Sequence, residues 1–253
     1  MTMIFWPVAA AVAAAAPQAG DDVPAGLVAL REQPGADARR RCTDTGEWCV
    51  SLAEEAGSPL VIRHKGKEVG RWTPPEEDAD DQHYAALPGI YPLPGGAAIA
   101  VVAAERSLMY SGGGGHVGEQ HVILMQPGEA GGADEVLTVP GDSGMMIRAC
   151  FSERDMKQRA GACHDEYSLS ATLAFVPVEG GMPLVRLETE ASSFPRGVSR
   201  DKDSLAGPPL KKRDLVWEAD RACTYTRTFR FDPARKRYLP DAPLPDCSQY
   251  LDG

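Results

Sequence analysis

The chain has 253 residues, 43% of them hydrophobic, and a formal net charge of −10. That apolar fraction is enough to fill the core of a single domain. The negative charge repels phosphate backbones and anionic lipid surfaces, which excludes nucleic-acid binding and peripheral membrane binding as leading readings.

At the start of the chain, Ile4, Phe5, Trp6, Val8 and the stretch Ala9 to Ala16 form an apolar core too short to span a bilayer as a helix. Residues 1–20 therefore read as a signal peptide cleaved among Ala14, Ala15, Ala16 and Ala19. Residues 21–40 read as a flexible N-terminal segment, and residues 41–253 as a single β-rich domain. Behind this leader the six cysteines fall into close pairs in sequence order, Cys42/Cys49, Cys150/Cys163 and Cys223/Cys247. They lack C-x-x-C zinc spacing. Downstream of an export signal, such a set reads as a disulfide framework in a periplasmic or secreted protein. No later stretch is apolar for long enough to cross a membrane, because Ala97 to Ala104 runs into Glu105 and Arg106.

Pairs of apolar or alternating runs joined by turn residues recur along the chain and predict β-hairpins. Cys49 to Leu52 returns through Glu54 to Pro59 into Leu60 to Arg63. Val122 to Met125 returns through Pro127 to Asp134 into Val136 to Val139. Leu173 to Val178 returns at Glu179 to Pro183 into Leu184 to Leu187, and Tyr225 to Phe231 returns at Asp232-Pro233 into Tyr238. Alternation is clearest in Tyr167, Leu169, Ala171, Leu173 and Phe175, with Ser168, Ser170 and Thr172 on the opposite face. The best helical signal is short: Ser152 caps a turn with Asp155 at the third position, inside the loop that Cys150 and Cys163 would close. With 21 prolines and 26 glycines there is little room for long helices. The fold class is all-β: antiparallel hairpins in a single disulfide-stapled domain, arranged as a β-sandwich or a small propeller. Disorder is expected in Asp21 to Arg40, in Thr73 to Gln82, and in Ser192 to Arg213 with its mixed charge and Pro208-Pro209.

Three segments carry candidate chemistry. The glycine run Ser111-Gly112-Gly113-Gly114-Gly115-His116 lacks the following helix of a phosphate loop and reads as a flexible hairpin connection. Gly141-Asp142-Ser143-Gly144 resembles the nucleophile turn of chymotrypsin-like serine proteases. That resemblance implies Ser143 as nucleophile, a histidine base supplied by His116 or His121, and two backbone N–H groups for the oxyanion. Where the family continues with Gly-Gly-Pro, this chain has Met145-Met146, and the tetrapeptide also makes a plain turn. Finally, Cys163-His164-Asp165-Glu166-Tyr167 offers His164 and Glu166 on one strand face as metal ligands, with Asp165 on the other.

The leading functional expectation is a non-catalytic exported protein that binds a protein or small-molecule partner through loops on a stapled β-scaffold, without a cofactor. The alternative is an exported hydrolase using Ser143 with a histidine, or a metal held around His164. A concave surface bearing aromatics such as Trp72, Tyr84, Tyr91 and Trp217 would favour ligand or glycan binding.

Overall fold

A computed structural model describes residues 23–32, 40–52, 59–75, 82–127 and 132–252. Residues 1–20, read above as a signal peptide, residues 33–39 of the segment expected to be flexible, the acidic run from Glu76 to Asp81 and the expected turns at 53–58 and 128–131 lie outside these residues. The chain is all-β, as its alternation predicts, and every paired strand in its two sheets is antiparallel.

The smaller sheet takes β2 (Arg31–Glu32), β3 (Arg40–Cys42), β4 (Trp48–Leu52), β5 (Leu60–His64) and β6 (Lys67–Trp72) in sequence order. Among the described residues, the larger sheet has eleven strands. It runs from β1 (Val28–Ala29) through β7 (Gln82–Pro92), β8 (Ala98–Tyr110) and β9 (Gly113–Gln126) to β11 (Ser143–Arg148). It continues through β12 (His164–Val176), β13 (Leu184–Phe194), β15 (Tyr225–Asp232) and β16 (Arg237–Pro240). Two strands pair to the side of this path: β10 (Gly132–Pro140) on β9, and β14 (Glu218–Ala219) on β13. All four predicted hairpins form, as β4–β5, β9–β10, β12–β13 and β15–β16. Their strands merge into continuous sheets and make no separate propeller blades.

The layers follow from which side chains face which. Leu169, Leu173, Phe175, Val185, Leu187, Phe229 and Tyr238 pack against Ile99, Val101, Val122 and Leu124, so the large sheet coils over itself and buries one core inside. Ala98, Ala100, Val102, Ile123 and Met125 point the opposite way and meet Val50, Leu52, Leu60, Ile62 and Trp72 of the small sheet. The middle of β8 is thus covered on both faces, which explains an unbroken apolar run where a half-exposed strand would alternate. β12, open to solvent on one side, keeps strict alternation.

All three disulfides pair in sequence order, Cys42–Cys49, Cys150–Cys163 and Cys223–Cys247. They place folding in an oxidising environment. Among the described residues, no helix is long and apolar enough to cross a membrane. The helices are α1 (Glu153–Gln158), whose Ser152 cap accepts from Asp155 N–H at 3.2 Å, and α2 (Ser248–Leu251).

Several local expectations change. Val23 to Glu32, part of the segment expected to be flexible, buries Leu30 and straps the coiled sheet: β1 pairs with β7, while the Phe175 N–H donates to the Ala25 carbonyl at 2.7 Å. Gly26 makes this possible. It has φ of +88°, and a Cβ there would fall 1.9 Å from the Phe175 carbonyl oxygen, so no other residue fits. Ser192 to Arg213, expected to be disordered, is described throughout. Its polar composition buries little apolar surface, but Arg159 and Asp165 form a buried ion pair, and Ser204 donates its hydroxyl to Asp165. The Leu210 N–H donates to the Gln158 carbonyl at 2.8 Å. A charge pair taken out of water must keep all its partners, and this one fastens the segment to α1. Gly113 to Gly115, expected in a connection, lie inside β9, because β11 approaches so closely that a Cβ on Gly115 would fall 2.1 Å from the Gly144 carbonyl oxygen.

Candidate functional site

In the small sheet, the inward-facing pairs of β4 and β5 are Leu52 with Leu60, Val50 with Ile62, and Trp48 with His64. The apolar stripe therefore ends at the rim of the layer in an aromatic pair. Trp48 and His64 stack with centroids 4.2 Å apart and an interplanar angle of 14°. The space between the layers opens here into a cleft of about 560 Å³, lined among others by Val28, Thr43, Asp44, Glu47, Leu93 and Gly96.

One wall is the turn between β3 and β4, which is cross-linked and hydrogen-bonded internally. Cys42 and Cys49 are opposite one another in register and bridged. Inside that loop the Thr43 N–H donates to the Trp48 carbonyl at 2.9 Å, the Trp48 N–H donates to Thr43 Oγ1 at 3.2 Å, and the Gly46 N–H donates to the Thr43 carbonyl at 2.8 Å. Glu47 leaves this turn to accept from His64 Nε2 at 3.1 Å and to pair with Lys65 Nζ at 3.3 Å. The hydrogen bond from His64, reinforced by Lys65, holds the Glu47 carboxyl below its usual range. Its charge fixes the imidazole flat on Trp48 with Nδ1 directed at the turn containing Gly96. Asp44 at the rim pairs with Arg31 at 3.1 Å, both largely exposed. Such a cleft offers an aromatic floor, apolar sides and a rim of carboxylates and hydroxyls, the make-up of a small-ligand pocket.

The candidates read from the sequence are spread apart. Ser143 is buried, and its hydroxyl accepts from the Gly118 N–H at 3.1 Å and donates to the Gly141 carbonyl at 3.4 Å. His116 is opposite Gly144 and shares that residue's face, whereas Ser143, its neighbour in the strand, points the other way. His121 sits between the sheets beside Trp72 and Tyr84, at ring distances of 5.9 and 6.1 Å, with Nδ1 3.2 Å from Glu135 Oε2. Neither histidine is brought to Ser143. On β12, His164 is exposed and Glu166 half-buried, while Asp165 turns inward to Arg159. Among the described residues, no three His, Cys, Asp or Glu side chains gather around a point that would hold a metal.

The aromatics likewise share no concavity. Trp72 and Tyr84 are core residues, Tyr91 packs near Phe175 at 6.2 Å, and Trp217 stands half-exposed beside Phe194. The residues that do line a cleft, Trp48 and His64, escape a reading based on motifs. The available signal was the β4–β5 register: counting back from the predicted turn places Trp48 opposite His64 on the buried face. The far wall comes from β1 and the end of β7, which no local pattern connects to them.

No family model matches the chain, and neither the curated proteins nor the solved structures include a match to it.

Proposed function

We propose that the chain is an exported, periplasmic or secreted, non-catalytic binding protein whose ligand occupies the Trp48–His64 cleft. The observation that carries this reading is the stacked aromatic floor, set against a disulfide-bridged, internally hydrogen-bonded wall. A pre-organised wall lowers the ordering cost of binding. The exposed carboxylate of Asp44, with Glu47 and Thr43 beside an apolar floor, suits a small polar molecule with one apolar face, the size of a disaccharide or a short peptide. The export signal in the sequence and the oxidised cysteines support the compartment. Against the hydrolase alternative, the Ser143 hydroxyl among the described residues is bonded to the Gly118 N–H and the Gly141 carbonyl and to no histidine.

The test is a thermal-shift and NMR screen of the mature chain against mono- and disaccharides, amino acids and short peptides. A ligand that raises Tm and shifts the Trp48 indole resonance is expected, and both effects are lost in His64→Ala. Hits indifferent to His64→Ala and Asp44→Ala would overturn the cleft assignment. Ester or peptide hydrolysis abolished by Ser143→Ala would overturn the non-catalytic reading.

A further inference from the structure

At the far end of the large sheet, cross-strand register collects two thioethers and an imidazole on one exposed face. Gly114 of β9 stands between Met109 of β8 and Met146 of β11, in a single line across three strands. The next line on the same face runs from Ser107 through His116 to Gly144. With strands about 4.8 Å apart, the two methionine Cα atoms are about 10 Å from one another, and His116 is one side-chain step away along β9.

The glycines leave the space these side chains use. A Cβ on Gly114 would meet Met109 Sδ at 3.4 Å, so the sulfur lies over that glycine. A Cβ on Gly144 would meet His116 Cε1 at 3.1 Å, with Nδ1 and Nε2 at 3.7 and 3.8 Å, so the imidazole lies over the neighbouring one. Met109 is 88% exposed and Met146 44% exposed, although methionine ordinarily fills cores. Glu166, opposite Met146 on β12, adds a carboxylate at the edge of the group.

The geometry points to a soft-cation site formed by Met109, His116 and Met146, whose ligand is monovalent copper. Thioether sulfur and imidazole nitrogen are soft and borderline donors that favour Cu(I) over Mg²⁺, Ca²⁺ or Zn²⁺. All six cysteines are bridged, so no thiolate in the oxidised chain competes for the ion. Binding displaces solvent from the ion and involves no electron transfer. This site is independent of the Trp48–His64 cleft.

Silver(I), which is redox-inert and has the same ligand preference, is the probe. The oxidised full-length chain, labelled with ¹³C at its methionine methyl groups, is titrated with Ag(I) and followed by NMR and native mass spectrometry. One equivalent is expected to bind, shifting the Met109 and Met146 methyl resonances out of the 8 methionines. Met109→Leu and His116→Gln should each weaken binding at least tenfold, with Tm unchanged for the exposed Met109→Leu. His83→Gln should bind as the parent does. Cu(I) under anaerobic conditions should displace silver, and Zn²⁺ should not. Unmoved Met109 and Met146 signals, affinity retained in the Met109→Leu/Met146→Leu double variant, or displacement by Zn²⁺ would each overturn the assignment.

Discussion

Two histidine–glutamate pairs flank the same interlayer core, and they differ in what surrounds them. His64 stacks on Trp48 at the open rim, with Glu47 at 3.1 Å. His121 is enclosed near the other end, between Trp72 and Tyr84, with Glu135 at 3.2 Å and Glu119 at 3.7 Å. At the rim, water solvates the carboxylate and the pair costs little to keep. In the interior the ring has no solvent to replace a lost partner, and the carboxylate is there to compensate a buried polar group. On the proposed reading, one pair of residue types would serve recognition in one place and packing in the other, and burial would decide between them.

The largest expected effect is at the enclosed pair. His121→Ala leaves a void between two aromatic rings and removes the partner of Glu135, and it should destabilise the fold by about 3 kcal/mol in urea unfolding. A loss no greater than that of His64→Ala would break the comparison. Next in size is removal of the bridge beside the open pair. Cys42→Ser/Cys49→Ser should cost about 2 kcal/mol, less than Cys223→Ser/Cys247→Ser, because its loop spans a separation of 7 residues against 24. It should also weaken whatever ligand the cleft takes, which calorimetry would show. His64→Ala should cost only about 1 kcal/mol in stability, the worth of an aromatic stack, while lowering cleft affinity more than tenfold.

The smallest effect is a pH dependence at the enclosed pair. The His121 imidazole, 3.2 Å away, holds the Glu135 carboxyl below its ordinary value of 4.5. A carboxyl depressed in the folded state contributes stability that is fully present above the ordinary value, and it is lost as pH falls through the lower, folded one. Glu135→Gln should therefore lower Tm at pH 7 and make no difference once the pH is well below 4.5. A gap in Tm that stays constant with pH would show that the charge of Glu135 does not matter.

Much of the fold was legible because its signals are local. Period-two alternation named the buried face of β12, turn residues bounded the hairpins, and near pairing of cysteines matched loops short enough to close. Ser152 announced the cap of α1 by residue type alone. The errors have one source. Gly113 to Gly115 looked like a flexible connection, yet they are glycines because a neighbouring backbone passes too close for a Cβ. Ser192 to Arg213 looked disordered, yet Arg159 and Asp165, distant in the chain, anchor it. Ser143 sits in a tetrapeptide with catalytic precedent, and only the placement of His116 and His121 tells where a base would have to come from.

By itself, the sequence determined the all-β class, the hairpins and the disulfide pairing, since each depends on residues a few positions to a few tens of positions apart. Tertiary structure alone decided which way each sheet coils, which histidine is enclosed and which is open, and which residues share a cleft. Those outcomes depend on side chains from strands far apart in the chain meeting across a layer, such as Val28 and Leu93 beside Trp48. Periodicity says that a face is buried. It does not say what buries it.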